Sequence, residues 1–204
     1  MSNQLTINNL TLFREDNCVI NDISFTTSTG ELTLITGPNG SGKTTMLRAI
    51  AGLIDPEMGK VCWNDELITT DIQKYYEHLT WISHQHGFKS NLSMLDNLTF
   101  EGALNGYDDT EIEATIQNFS LTNHCHKPFV KLSAGQKKRA SLTRLSLEKK
   151  PLWLLDEPTS NLDRLAQSQL IEMIYLHIKN NGMCIIATHQ PELFQNISSV
   201  IELS

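Results

Sequence analysis

The 204-residue chain predicts an α/β fold, a largely parallel sheet with helices on both faces, and three observations carry that expectation. Short β-type apolar runs recur along the chain, runs with helical spacing separate the later ones, and 40% hydrophobic residues suffice for one globular core. No internal repeat, low-complexity segment or Pro- or Ser-rich linker interrupts the pattern, so a single domain over 1–204 is expected.

The elements follow in order. "LTINNLTLF", "CVINDISF" and "ELTLITG" read as strands, "TTMLRAIAGL" as a helix and "GKVCWND" as another strand. The middle of the chain turns helical. "SMLDNLTFEGAL" places Met94, Leu95, Leu98 and Leu104 near 3.6-residue spacing, and "DDTEIEATIQNF" opens with acids suited to a helix start. This block, about 87–148, reads as an all-helical insertion. Beyond it come the apolar run "LWLLDE", a polar-faced helix from about Arg164 to Lys179, and two further strands in "MCIIATH" and "SSVIELS".

Composition narrows the chemistry. Sixteen Lys and Arg against twenty-three Asp and Glu give a formal charge of −7, which argues against a protein held to nucleic acid by bulk charge. Any anion site must be local. The opening "MSNQLTINNL" lacks a basic segment followed by an apolar one, and no apolar run approaches the roughly 18 residues of a spanning helix. Cys18, Cys62, Cys125 and Cys184 are too far apart for a CxxC pair and are expected as free thiols.

"ITGPNGSGKTTML" sets Gly37, Gly42, Lys43 and Thr44 in the G-x-x-x-x-G-K-[ST] pattern, with an apolar strand before it and a helical run after it. Glycines let successive N–H groups turn inward, so Gly37, Pro38, Asn39, Gly40, Ser41, Gly42, Lys43, Thr44 and Thr45 are the expected cradle of a nucleotide's phosphates. Lys43 would reach the β and γ oxygens, and Thr44 would offer its hydroxyl to Mg2+. "LWLLDEPTSNLD" delivers Asp156 and Glu157 at the end of an apolar strand, where open α/β sheets bind ligands. Asp156 is the candidate for Mg2+ through its water shell. Glu157, on the other face of the strand, can take the proton of an attacking water.

"KLSAGQKKRASL" begins a second anion-ready segment. Ser133 can cap the following helix, and Ala134 and Gly135 leave N–H groups open to a phosphate. Lys137, Lys138 and Arg139 lie in the first turns, where the helix dipole disfavours cations, and are expected as a solvated face.

With these residues in place, the chain resembles the ATP-binding cassette ATPases over about residues 5–203. "KLSAGQKKRA" is similar to the cassette signature, "SNLD" to the loop that carries the family's aspartate, here Asp163, and "IIATHQ" supplies His189. The resemblance implies a phosphate-loop NTPase core of the RecA-like type, with an antiparallel β lobe and a helical insertion. It implies ATP hydrolysis with Mg2+, His189 touching the γ-phosphate beside Glu157, and Ser133 and Gly135 facing ATP held by a second cassette. Two further positions follow from it. Phe13 is the nearest aromatic to stack on adenine, and "WISHQHGFKSNLS" offers Gln85, or His84 beside it, as the contact to Mg2+ or water.

The loop with His84, Gly87, Phe88 and Lys89, together with "LSAGQKKRASLTRLSL", is similar to the ATP-binding subunits of the haem exporter used in cytochrome c maturation. That likeness implies a peripheral place on the cytoplasmic side of the inner membrane, a second cassette and a separate haem-handling membrane subunit. The spacing of His84 and His86, and of His124, Cys125 and His126, fits surface loops better than ligation. Two other classes fit less well. Soluble cassettes acting on ribosomes or DNA carry paired cassettes or long coiled-coil insertions, and a phosphate-loop kinase has no use for the signature stretch.

Overall fold

The structure, a computed structural model, describes residues 2–83 and 87–204. They form two compact units. One comprises residues 1–81, 150–158 and 172–204, and the other residues 82–149 and 159–171. The expected insertion of about 87–148 falls inside the second.

The first unit holds two sheets. Strands β1 (Gln4–Arg14), β2 (Asn17–Ser28), β4 (Met58–Trp63) and β5 (Glu66–Leu67) make one, in the order β2-β1-β4-β5, with antiparallel pairs throughout. The other runs β6-β7-β8-β3-β9, from β3 (Leu32–Thr36), β6 (Leu79–Ile82), β7 (Leu152–Asp156), β8 (Met183–Ala187) and β9 (Ser199–Glu202). Its β7–β8, β8–β3 and β3–β9 pairs are parallel. β3, β7 and β8 are near-continuous apolar runs because a central parallel strand is covered on both faces.

Helix α1 (Lys43–Ile50) follows β3 and lends Met46, Leu47 and Ile50 to one core shared with Leu5, Ile7 and Val61 of the first sheet and Ile35, Leu154 and Ile185 of the second. Short helix α2 (Ile72–Tyr76), which the sequence reading did not separate, adds Tyr75, whose hydroxyl donates to Ile50 O at 2.9 Å. Burial pushes that phenol well above its usual range.

The second unit is built on α3 (Met94–Asn105), α4 (Asp109–Asn118) and α5 (Ala134–Leu147). Each starts in a complete capping box: Ser93 with Asp96, Asp108 with Glu111, and Ser133 with Gln136. Phe88, Met94, Leu98, Ile112, Phe129 and Ala140 centre its core. Arg144 donates through Nε to Glu101 at 2.9 Å and lies 4.5 Å over the Phe88 ring. Leu104, one of the four apolar residues on the helical spacing, is 71% exposed. The inward face of α3 is Met94, Asn97, Leu98 and Gly102, with Asn97 bound to Lys89 and Ser93 backbone atoms. Helix α6 (Arg164–Lys179) contributes residues 164–171 to this unit and 172–179 to the first.

Among the described residues no helix is long and apolar enough to cross a membrane. All four cysteines are free thiols, with Cys18 exposed and the others buried.

Candidate functional site: a phosphate-loop cleft

Between β3 and α1 the chain turns through Gly37, Gly40 and Gly42, all at positive φ. At Gly37 the reason is contact as well as conformation: a Cβ there would lie 2.4 Å from Leu203 O and 2.7 Å from Ser41 Oγ. Gly42 is the N-cap of α1, at φ 96°, and no side chain caps the helix. The first-turn N–H groups are thereby left to a ligand, and the dipole end adds positive potential. Lys43 is 7% exposed and folds back across the loop, its Nζ donating to Gly37 O at 2.7 Å and Pro38 O at 2.9 Å. Ser41 Oγ is buried, and none of the described residues hydrogen-bonds to it. An unpartnered hydroxyl inside a glycine-lined turn is what a site for phosphate oxygens requires.

The acidic strand end meets this loop. Asp156 closes β7 and is buried, and the Thr44 hydroxyl donates to its Oδ2 at 2.9 Å. Hydroxyl and carboxylate together form an oxygen donor set that suits Mg2+. Glu157 follows at φ 45°, in the left-handed region that disfavours a residue with a Cβ, while its N–H donates to Ala187 O at 2.9 Å. That geometry turns its carboxylate towards His189, whose Nδ1 lies 2.7 Å from Oε2. His189 is half-exposed; Glu157 is mostly covered. Arg14, Val19, Asn39, Gly40, Gly42, Lys43, Thr44, Thr45, Asp156 and Glu157 line a cleft of about 290 Å³.

In the second unit Ser133 Oγ accepts from Gln136 N–H at 3.3 Å, and Gln136 Oε1 accepts from Ser133 N–H at 3.0 Å. Gly135 sits where a Cβ would come 2.9 Å from Asn161 O, so α5 can lie against the loop 159–163 only with glycine there. Asp163 caps α6, accepting from Ala166 N–H at 2.9 Å, with Arg139 Nη1 4.0 Å from its other oxygen. The expected solvated face of three cations is corrected: Lys138 is 3% exposed, because α5 is packed on nearly every side, and Arg139 Nε is buried. Lys137 lies 6.0 Å from the Phe129 ring centroid.

The structure thus brings together the phosphate-loop residues, Asp156 and Glu157, with His189 joined through Glu157. Ser133, Gly135 and Asp163 belong to the other unit. Gln85 and His84 lie outside the described residues. Phe13 does not line the cleft and is 43% exposed, whereas Arg14 and Val19, which the sequence reading passed over, do line it. No residue type announces this: the hairpin pairs Leu12 with Ile20 and Phe13 with Cys18, which leaves Val19 as a bulge.

Comparison with known proteins agrees with this geometry. The family model described as "ABC transporter" matches residues 20–160. A protein of Yersinia pestis named "Cytochrome c biogenesis ATP-binding export protein CcmA" is 38% identical over 91% of this chain and 86% of its own. One of the same name from Vibrio cholerae is 39% identical over 94% of both. Among solved structures, an "ATP binding subunit of ABC transporter" superimposes with a TM-score of 0.85 at 23% identity, covering 98% of this chain and 85% of that one, which shows the shared phosphate-loop fold. The cleft, the acidic strand end and these relatives together place the chain in the ABC transporter family, as an ATP-binding, ATP-hydrolysing subunit.

Proposed function

We propose that this chain powers a membrane export complex serving cytochrome c biogenesis, with haem or a haem-linked species as cargo, and that it works as one of two facing cassettes on the cytoplasmic side of the inner membrane. The observation that carries the catalytic part is the Glu157–His189 pair, 2.7 Å apart and next to the phosphate-loop cleft. The names of the Yersinia and Vibrio relatives support the biological part.

On this reading the N–H groups at the start of α1 hold the β-phosphate, and Lys43 exchanges the Gly37 and Pro38 carbonyls for β and γ oxygens. Thr44 and Asp156 would hold Mg2+, which would neutralise charge on those oxygens. The Glu157 carboxylate takes a proton from the water that attacks the γ-phosphorus, and the bond to the β-phosphate oxygen breaks to release ADP and phosphate. His189, its Nδ1 2.7 Å from Glu157 Oε2, holds that carboxylate in place and turns its Nε2 side towards the γ-phosphate and the attacking water. Ser133 and Gly135 serve the ATP of a second copy, and their capped helix start donates to its γ-phosphate. Closure of the pair on ATP and reopening after hydrolysis move a separate membrane subunit.

Replacing Glu157 by Gln tests the chemistry. ATP binding stays, and turnover falls roughly 10²- to 10⁴-fold, the usual worth of a positioned general base. Undiminished hydrolysis removes Glu157 from the role. Isolation of the chain from gently solubilised membranes tests the assignment: co-purifying haem-handling subunits support it, and a peptide or lipid permease overturns it.

A further inference from the structure

We propose that Asn39, in the phosphate loop, is a site of spontaneous covalent modification: in the nucleotide-free chain the Gly40 nitrogen attacks its side-chain amide, and the resulting carboxylate weakens the hold of the cleft on ATP. The chemistry stands on the loop alone, and its consequence rests on the nucleotide-site reading above.

The sequence holds three Asn-Gly pairs, Asn39–Gly40, Asn105–Gly106 and Asn181–Gly182. In each, the missing Cβ leaves the glycine nitrogen open to the amide carbon of the preceding side chain. All three asparagines are exposed, so exposure does not choose between them. Hydrogen bonding does. Gly106 N–H donates to Gly102 O at 2.7 Å at the end of α3, and Asn105 Nδ2 donates to Glu101 O at 2.9 Å. Gly182 N–H donates to His177 O at 2.9 Å just beyond α6, and a Cβ on Gly182 would come 2.3 Å from the His177 ring. In both pairs a helix-terminal bond holds the nitrogen, and attack must first break it.

Asn39–Gly40 has neither restraint. Among the described residues nothing hydrogen-bonds to the Gly40 N–H or to the Asn39 side chain. The pair forms the centre of a turn that Ser41 N–H closes on Pro38 O at 3.2 Å, with Gly40 at φ 88°. A Cβ on Gly40 would meet nothing within 4 Å, so a ring has room to close there. The positive end of α1 and the Lys43 ammonium, 2.9 Å from Pro38 O, favour the deprotonated nitrogen that attacks.

The step needs only the chain and water. A bond forms between Gly40 N and Asn39 Cγ, the Cγ–Nδ2 bond breaks, and Nδ2 leaves as ammonia with the proton that Gly40 N gave up. Water then opens the five-membered imide at one of its two carbonyls. Opening at Cγ leaves an aspartyl side chain; opening at the backbone carbonyl leaves an isoaspartyl link with one more carbon in the main chain. Either product sets a carboxylate in the cleft lining that Asn39 shares with Gly42, Lys43 and Thr44, where it repels the phosphates of ATP. Bound ATP acts the other way. A phosphate oxygen that accepts from Gly40 N–H restrains this nitrogen as the helix ends restrain the other two. An idle chain therefore ages at this loop, and an occupied one is guarded.

The full chain is incubated without nucleotide at mildly alkaline pH, and the three Asn-Gly peptides are followed by mass spectrometry and isoaspartyl-specific methyl transfer. Asn39 is expected to convert at least about tenfold faster than Asn105 and Asn181, since only those two must open a backbone hydrogen bond. In urea the three rates should converge. Equal rates in the folded chain, or a contrast that persists in urea, overturn the proposal. Asn39→Gln, which would need a six-membered ring, should stop isoaspartyl formation in this peptide, and its continuation there sinks the assignment. Asn39→Asp should bind ATP at least about tenfold more weakly in a direct titration; unaltered affinity overturns the claimed consequence. Saturating non-hydrolysable ATP with Mg2+ should slow conversion at Asn39 at least about fivefold. If it does not, while Asn39 still outpaces the other two, the nucleotide-site reading fails and the modification site stands.

Discussion

Two helix starts in this protein carry the proposed phosphate contacts, and they are finished differently. α1 begins at Gly42 with no capping side chain, next to a buried hydroxyl without a partner and a lysine bent back onto its own loop. α5 begins at Ser133 inside a capping box that satisfies Gln136 N–H and Ser133 N–H from within the chain. The first start is chemically incomplete without a ligand; the second is stable on its own and keeps only part of its donor capacity. A site that must hold its ligand through turnover suits the first design, and one that engages and releases suits the second.

The difference can be broken at its strongest point first. Lys43→Ala removes charge-assisted bonds to the phosphates, and ATP affinity should fall roughly a hundredfold in a direct binding titration. An affinity unchanged by this substitution would put the ligand elsewhere. Ser133→Arg attacks the other start: binding of ATP by the single chain should be unaltered, while ATP turnover at saturating nucleotide drops at least about tenfold, since bulk and charge displace the γ-phosphate contact. Normal turnover would show that α5 serves only the fold. Ser133→Ala is gentler. Loss of the cap should cost about 1 kcal/mol in urea unfolding, with ATP binding intact; a null result would mean that the box contributes nothing measurable to α5.

The smallest effect comes from a residue at neither start, and it calibrates the pH range for the others. His177 stacks on Trp153 with centroids 3.8 Å apart, its Nε2 lying 3.1 Å from Pro151 O. Burial lowers its pKa from 6.5, and the two backbone carbonyls offset only part of that. The unfolded chain therefore binds the proton first. Stability should be full above pH 6.5 and decline as the pH falls below it towards the lowered native value. His177→Phe should flatten that segment of the unfolding profile; an unchanged slope would assign it to other groups.

How much of this was legible follows from how local each feature is. The phosphate loop needs eight consecutive residues, and Ser133 with Gln136 needs four, so both were readable in order along the chain. The Val19 bulge was not, because strand pairing between residues 12 and 20 decides it and no residue type announces it. Leu104 and Lys138 failed in opposite directions. Leu104 lies two turns beyond buried Asn97 and only about 20° round the helix from it, yet it stands in the last turn of α3 and is exposed. Lys138 is drawn in because α5 is enclosed, and a four-carbon stem can be buried while its ammonium finds a partner. Periodicity ranks apolar residues, but packing on the neighbouring helices chooses which turn faces inward.

The backbone at Glu157 has a consequence for evolution and for engineering. A left-handed conformation at φ 45° costs a residue with a Cβ roughly 1–2 kcal/mol, and glycine almost nothing. Random substitution at this position should therefore enrich glycine and asparagine in any selection for thermal tolerance, and each such winner would have lost the carboxylate that pairs with His189. Selection for robustness and selection for work pull this one residue in opposite directions, so a stabilised library of this protein should be screened for ATP turnover before it is screened for melting temperature.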